Sequence, residues 1–179
     1  EHLSDWQELW NTLPTNQHYI LNKRICGCGA TEAYIRSDKK VILASPRKHL
    51  LYNKYSQHLK DNLHLYRFTG DKKKYFESRT TSSTDILAFN DSLTGYIKSG
   101  GNKVLTTYDS LRKIMEALKD SGENLSQWIV VVDEFQAIFY DCQYKAITEY
   151  EFCQVLQKFP TVVYLSATPY LESYLDKIE

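Results

Sequence analysis

An α/β domain with a doubly wound, mainly parallel sheet flanked by helices is the fold class this sequence predicts, on three observations. Short runs rich in Val, Ile and Tyr recur along the chain, separated by segments whose apolar residues keep helical spacing. Two of those runs, "IVVV" (129–132) and "VVYL" (162–165), are apolar at every position, as strands buried on both faces of a helix-covered parallel sheet must be. Strand and helix patterns alternate instead of forming separate blocks, which is the signature of βαβ crossovers.

Taken in order, the acidic, amphipathic opening "EHLSDWQELW" predicts an N-terminal helical extension over 1–15. The first strand is "HYILNKRI" (18–25), followed by "CGCGAT" (26–31), a glycine-rich turn into a helix. "KVILASP" (40–46) is the second strand, and Leu51, Tyr55 and Leu59 mark the helix after it. "LHLYRF" (63–68) is a weaker strand, and the Ser/Thr-dense "ESRTTSSTD" (77–85) is a surface loop. A helix over 85–101 closes on Gly100-Gly101. "NKVLTTY" (102–108) is a strand, and Leu111, Ile114, Met115 and Leu118 recur at i, i+3, i+4 and i+7 of the next helix. "WIVVVDE" (128–134) and "TVVYLSA" (161–167) are the last strands, with Ala146, Tyr150, Cys153 and Leu156 as the helical stripe between them.

Composition limits what such a domain can do. The 179 residues suffice for one domain with a sizeable core, and 42% apolar with 25% charged residues is the balance of a globular protein. Lys and Arg together equal Asp and Glu, 22 against 22, so no global charge advertises a polyanion partner and any such site must be local. The Lys72-Lys73-Lys74 run reads as solvated surface. No apolar stretch approaches the ~20 residues of a membrane span, and the N-terminus lacks a signal-peptide layout, so no membrane partner is expected. The four cysteines have no framework spacing, and Cys26-Gly-Cys28 lacks the second ligand pair that zinc needs. A reducing, cytoplasmic setting is expected.

Ligands of open α/β sheets bind beyond the carboxyl ends of the strands, so the residues just after each strand are the ones to carry chemistry. Those residues are Gly27-Cys28-Gly29-Ala30-Thr31, Ser45-Pro46-Arg47, Thr106-Thr107-Tyr108-Asp109, Asp133-Glu134 and Ser166-Ala167-Thr168. Strands ending at Ile25, Ala44, Thr106, Val132 and Leu165 are expected to share one sheet edge.

In this order the series resembles the first RecA-like domain of superfamily 2 helicases and related nucleic-acid translocases. "CGCGAT" is similar to their phosphate loop (motif I), "ASPR" to motif Ia, "LTTYDSL" to motif Ib, "VVDEFQ" to motif II and "LSAT" to motif III, over roughly residues 16 to 168. The stretch "LPTNQHYILNKRICGCGAT" also resembles a divergent branch found in tailed bacteriophages, for which the setting would be the host cytoplasm. The resemblance implies a P-loop NTPase domain over 16–179 that takes ATP and Mg²⁺, with nucleic acid and a second RecA-like domain as partners.

The same resemblance implies residue roles. Cys26, Gly27, Cys28, Gly29, Ala30 and Thr31 would cradle phosphate with main-chain N–H groups. Thr31 and Asp133 would hold Mg²⁺, Glu134 would deprotonate the attacking water, and Gln136 would support it. Arg47 and Thr107 would meet a nucleic-acid backbone, while Ser166 and Thr168 would couple nucleotide state to that surface. Ala30 departs from the pattern, because the family places lysine there to neutralise phosphate charge. Three readings stand: a site without activity, weak binding through main chain and Mg²⁺ alone, or another cation such as Lys23 or Arg24 in the lysine's place. Lys23, taken by itself on a strand, reads as an ordinary solvated residue. Two function classes result, the ATP-binding half of a helicase-like ATPase or a catalytically inactive nucleic-acid-binding or assembly module.

Overall fold

The structure is a computed structural model that describes residues 13–23, 28–58, 60–66 and 93–167, with backbone only for 140–146. Residues 1–12 of the expected N-terminal extension, the Lys72–Lys74 run, the 77–85 loop and the first part of the 85–101 helix lie outside the described residues.

Six strands form one sheet: β1 (His18–Asn22), β2 (Lys40–Ser45), β3 (His64–Leu65), β4 (Lys103–Thr107), β5 (Trp128–Asp133) and β6 (Thr161–Ser166). Their order across the sheet is β1-β6-β5-β2-β4-β3, and every pairing is parallel. The helices are α1 (Ala30–Arg36), α2 (Lys48–Gln57), α3 (93–98), α4 (Leu111–Asp120) and α5 (Ala137–Leu156). The predicted doubly wound, mainly parallel α/β class is the one observed, here with every pairing parallel, and it is consistent with a RecA-like arrangement.

Alternation along the strands sorts the core into two layers. Val41, Leu43, Ile129, Val131, Val163 and Leu165 face α1 and α2, whereas Ile42, Ala44, Val130, Val132 and Val162 face α3, α4 and α5. Crossovers through α1 and α2 travel away from β1, and those through α3, α4 and α5 travel back. A single crossover hand requires each direction of travel to use its own face. The centre is fully apolar: Val130, Val131, Val132, Val162, Val163 and Leu165 are all 0% exposed.

Local chemistry sets the ends of the elements. Leu111, Ile114 and Leu118 turn the buried stripe of α4 inward as predicted, with Met115 partly buried beside them. Gly100 takes φ +88 after α3, and the Gly101 N–H bonds back to the Tyr96 carbonyl at 2.9 Å, closing that helix where the glycine pair predicts. The stripe expected on α5 is corrected in part: Leu156 is buried as expected, and the side chain of Ala146 lies outside the described residues. Tyr150 is 65% exposed and Cys153 is exposed, while Phe152, Val155 and Leu156 enter the core. That helix carries apolar residues on several sides, so more than one stripe fits its sequence, and the sheet selects the one with the bulkier anchor.

Candidate functional site

The carboxyl ends of β1, β6, β5, β2 and β4 share one edge, as predicted. β1 runs over His18–Asn22, and its expected end, Ile25, lies with 24–27 outside the described residues. Parity then places Lys23, Asp133, Ser45 and Thr107 on the α1/α2 face of that edge, in register with Leu21, Val131, Leu43 and Leu105. α1 packs against β5 on the same face, so Thr31, buried in its first turn, and Asp133 belong to one side of the domain.

The centre of this edge is an ion-pair cluster. Lys23 Nζ donates to Asp133 Oδ1 at 2.9 Å and to Glu134 Oε1 at 3.1 Å. β6 lies between β1 and β5, so the lysine spans two inter-strand spacings, about 9–10 Å. Its backbone is fixed by the Lys23 N–H, which donates to the Ser166 carbonyl at 2.7 Å. The Lys23 side chain is 9% exposed. Burial works against its charge, but Asp133 and then Glu134 outweigh that effect and hold the ammonium above the usual lysine range. It therefore stays charged throughout the neutral range. The expectation of an ordinary solvated lysine on this strand is thereby corrected.

The turn from Asp133 to Gln136 is held from several sides. Tyr108 donates its phenol O–H to the Asp133 carbonyl at 2.7 Å and stacks on Phe152 at 4.4 Å between ring centroids. The Phe135 N–H donates to the Leu165 carbonyl at 3.2 Å, and Phe135 is buried. Gln136 Nε2 donates to Glu134 Oε2. Ser45 Oγ, one strand over from Asp133, is buried and has no hydrogen-bond partner among the described residues; an unsatisfied buried hydroxyl costs roughly 1–3 kcal/mol.

Glu134 sits at φ +55, in the left-handed region that side chains avoid at a cost of roughly 1–2 kcal/mol. The strain lies at the turn from β5 into α5 and aims the carboxylate at Lys23. Glu134→Gly and Glu134→Ala both delete that carboxylate, but only glycine relieves the backbone. After the entropy that glycine itself costs, Glu134→Gly is expected to be the more stable by roughly 1 kcal/mol in chemical denaturation. Coincident transitions would show that the φ angle carries no cost.

The other predicted residues are placed individually. Gly29 takes φ +86 as the N-cap of α1, a conformation that favours glycine, and its carbonyl accepts from the Ala33 N–H at 2.9 Å. Cys28 is partly buried against the α1/α2 core, and Cys26 and Gly27 lie outside the described residues. Ala30 is 1% exposed and part of the core, so the position where the resembled phosphate loops carry lysine is closed to solvent. Arg47 occupies the N-cap position of α2, exposed, with no side-chain capping bond and no ion pair among the described residues. Thr107 Oγ1 donates to Ser110 Oγ at 3.2 Å. Ser166 is buried at the end of β6 between the strands that carry Lys23 and Asp133, while Thr168 lies outside the described residues.

A divalent ion fits this donor set only with help. No group of three His, Cys, Asp or Glu that could hold a metal exists among the described residues. Asp133 and the Thr31 hydroxyl suit a hard cation that keeps most of its water and takes phosphate oxygens, as Mg²⁺ does. A cation already seated between Asp133 and Glu134, in the form of the Lys23 ammonium, shows that these carboxylates are arranged to hold positive charge.

For two residues of the site the sequence gives the candidate but not its contacts. Tyr108 carries no signal beyond its place after a strand, and Lys23 is visible only as a cation at the end of one. No protein-family model matches the chain, and no curated protein matches it. Among the described residues no helix is long and apolar enough to cross a membrane.

Proposed function

We propose that this chain is the nucleotide-binding domain of a nucleic-acid-dependent ATPase of the superfamily 2 helicase type, taking ATP with Mg²⁺. The observation that carries the reading is the placement of Asp133 and Glu134, side by side at the end of a buried strand and on the same edge and face as the glycine-capped helix bearing Thr31. Asp133 and Thr31 would hold the ion, and the bound metal would supply countercharge to the phosphates. Glu134, held by Gln136, would orient and deprotonate water. Cys26 to Thr31 would line the phosphates. Tyr108 fixes the main chain from which both carboxylates project.

Arg47 supports the nucleic-acid half of the proposal: it is exposed at the same sheet edge and carries no ion pair among the described residues. Together with Thr107 it would contact a phosphodiester backbone, which positions a strand without reading its sequence. Motor action would require a second RecA-like domain to close over the nucleotide. One observation favours the alternative, a catalytically inactive binding or assembly module: Ala30 closes the lysine position.

Calorimetric titration with ATP, with and without Mg²⁺, separates the two. Binding that requires Mg²⁺ is the expected result, and no binding under either condition would leave only the inactive module. In parallel, oligonucleotide anisotropy over a salt series is expected to show Arg47→Ala binding more weakly, with the salt slope reduced by about 1. An unchanged slope would remove Arg47 from the interface.

A further inference from the structure

The phosphate loop lacks its lysine at Ala30, and the packing of Ala30 into the core leaves that route closed. The structure offers a cation from another direction. Lys23 is the residue immediately after β1, on the segment that runs into the glycine loop, and its ammonium lies within hydrogen-bond distance of both motif II carboxylates. Resting on the nucleotide-binding function proposed for this site, we propose that Lys23 is its phosphate-neutralising cation. It pairs with Asp133 and Glu134, and it would pass to the terminal phosphates once Asp133 and Thr31 held a divalent ion.

Charge and geometry carry the argument. Two carboxylates and one ammonium leave the cluster with a net charge of −1, an arrangement that repels a nucleoside triphosphate. A divalent ion brought by the nucleotide turns the sum to +1, and without Lys23 it would reach only zero. No other cation among the described residues contacts Asp133 or Glu134, so this surplus rests on Lys23. Reach is not limiting, because a group that touches a metal-holding carboxylate lies beside whatever that metal holds. Neighbouring groups are also unsatisfied: Ser45 Oγ and Gln136 Oε1 are buried and without hydrogen-bond partners among the described residues. Ser45, 2% exposed, sits on the same face beside Asp133 and can donate to an incoming oxygen.

A residue that competes with the metal and also binds phosphate gives opposite signs in two titrations, which a purely structural lysine cannot. The test uses the full chain as Lys23→Met, which keeps the aliphatic stem, and as Lys23→Arg, which keeps the charge. Mn²⁺ alone, followed by electron paramagnetic resonance, is expected to bind Lys23→Met more tightly than the parent. Mg·ATP, followed by calorimetry, is expected to bind it about 10-fold to 100-fold more weakly, the range for one lost charge-assisted hydrogen bond. Lys23→Arg should stay near the parent for Mg·ATP. Should Lys23→Met fail to fold by circular dichroism, Lys23→Gln carries the same expectations, since it too removes the charge and its amide is better tolerated beside carboxylates. A parent that binds Mg·ATP and a variant that binds it equally well would overturn the role of Lys23 alone, as would two shifts of the same sign. A parent that binds neither Mn²⁺ nor Mg·ATP would overturn the nucleotide reading and this inference with it.

Discussion

Trp128→Ala is expected to lower stability by roughly 3–5 kcal/mol, the largest stability loss anticipated from a single truncation in this domain. Trp128 opens β5, is 0% exposed, and is among the largest fully buried side chains. It packs in the core between the sheet and the α3, α4 and α5 layer. Its indole N–H donates to Glu123 Oε2 at 3.0 Å, and the same carboxylate pairs with Lys40 Nζ at 2.5 Å, while that ammonium lies 5.7 Å from the indole ring. Truncation therefore opens a cavity and also strips Glu123 of a donor and Lys40 of its ring face. Against a total stability of about 5–15 kcal/mol, such a loss leaves a marginal fold. The thermal midpoint should fall by about 6–20 °C, read by calorimetry. Trp128 stands at the opposite end of β5 from Asp133, about 16 Å away along the strand. Ligand affinity per folded molecule should therefore be unchanged below the midpoint. A midpoint within about 2–3 °C of the parent, less than about 1 kcal/mol, would show that the indole is not a core anchor.

The division between those two strand ends also explains what the sequence makes legible. Strands β2, β5 and β6 are readable to within a residue or two because each is buried on both faces and its apolar run is nearly continuous, and β4 because its Val104, Thr106 and Thr107 favour strand. The face of α4 is readable because only one stripe of that helix is apolar. Strand order is not, since every parallel strand offers the same kind of surface and only the crossovers assign its neighbours. That gap hides the meaning of Lys23. The chain places it 110 positions from Asp133, and nothing local says that β1 and β5 stand two places apart. The left-handed Glu134 is hidden for a related reason, because the turn between β5 and α5 is imposed by the packing of Phe135. Chemical types at strand ends, in contrast, can be assigned without knowing the order. The Asp133, Glu134 and Gln136 cluster is visible as a set of residue types, but its counter-ion is not.

Asp133→Asn tests the function on which the role of Lys23 depends, and the expected result is loss of the Mg²⁺-dependent part of ATP binding, by about 100-fold or more if the ion is the chief countercharge. The amide is nearly the shape of the carboxylate and keeps an oxygen for the Lys23 ammonium, so the hydrogen bond at this position can persist. The charge that would hold a hard cation does not persist. Lys23 retains Glu134 as an ionic partner, and Tyr108 continues to hold the residue 133 carbonyl, so the fold should survive. This separates the variant from Asp133→Ala, which also removes one of the two acceptors around a lysine only 9% exposed. Titrating both variants with ATP, with and without Mg²⁺, gives a clear reading. If ATP affinity in Mg²⁺ falls in Asp133→Asn while the metal-free value does not move, Asp133 acts through the ion. Equal affinities with and without metal in the parent, or an unchanged Asp133→Asn, would mean that the cluster at the end of β5 is a structural ion pair and that this edge of the sheet holds no metal–nucleotide complex.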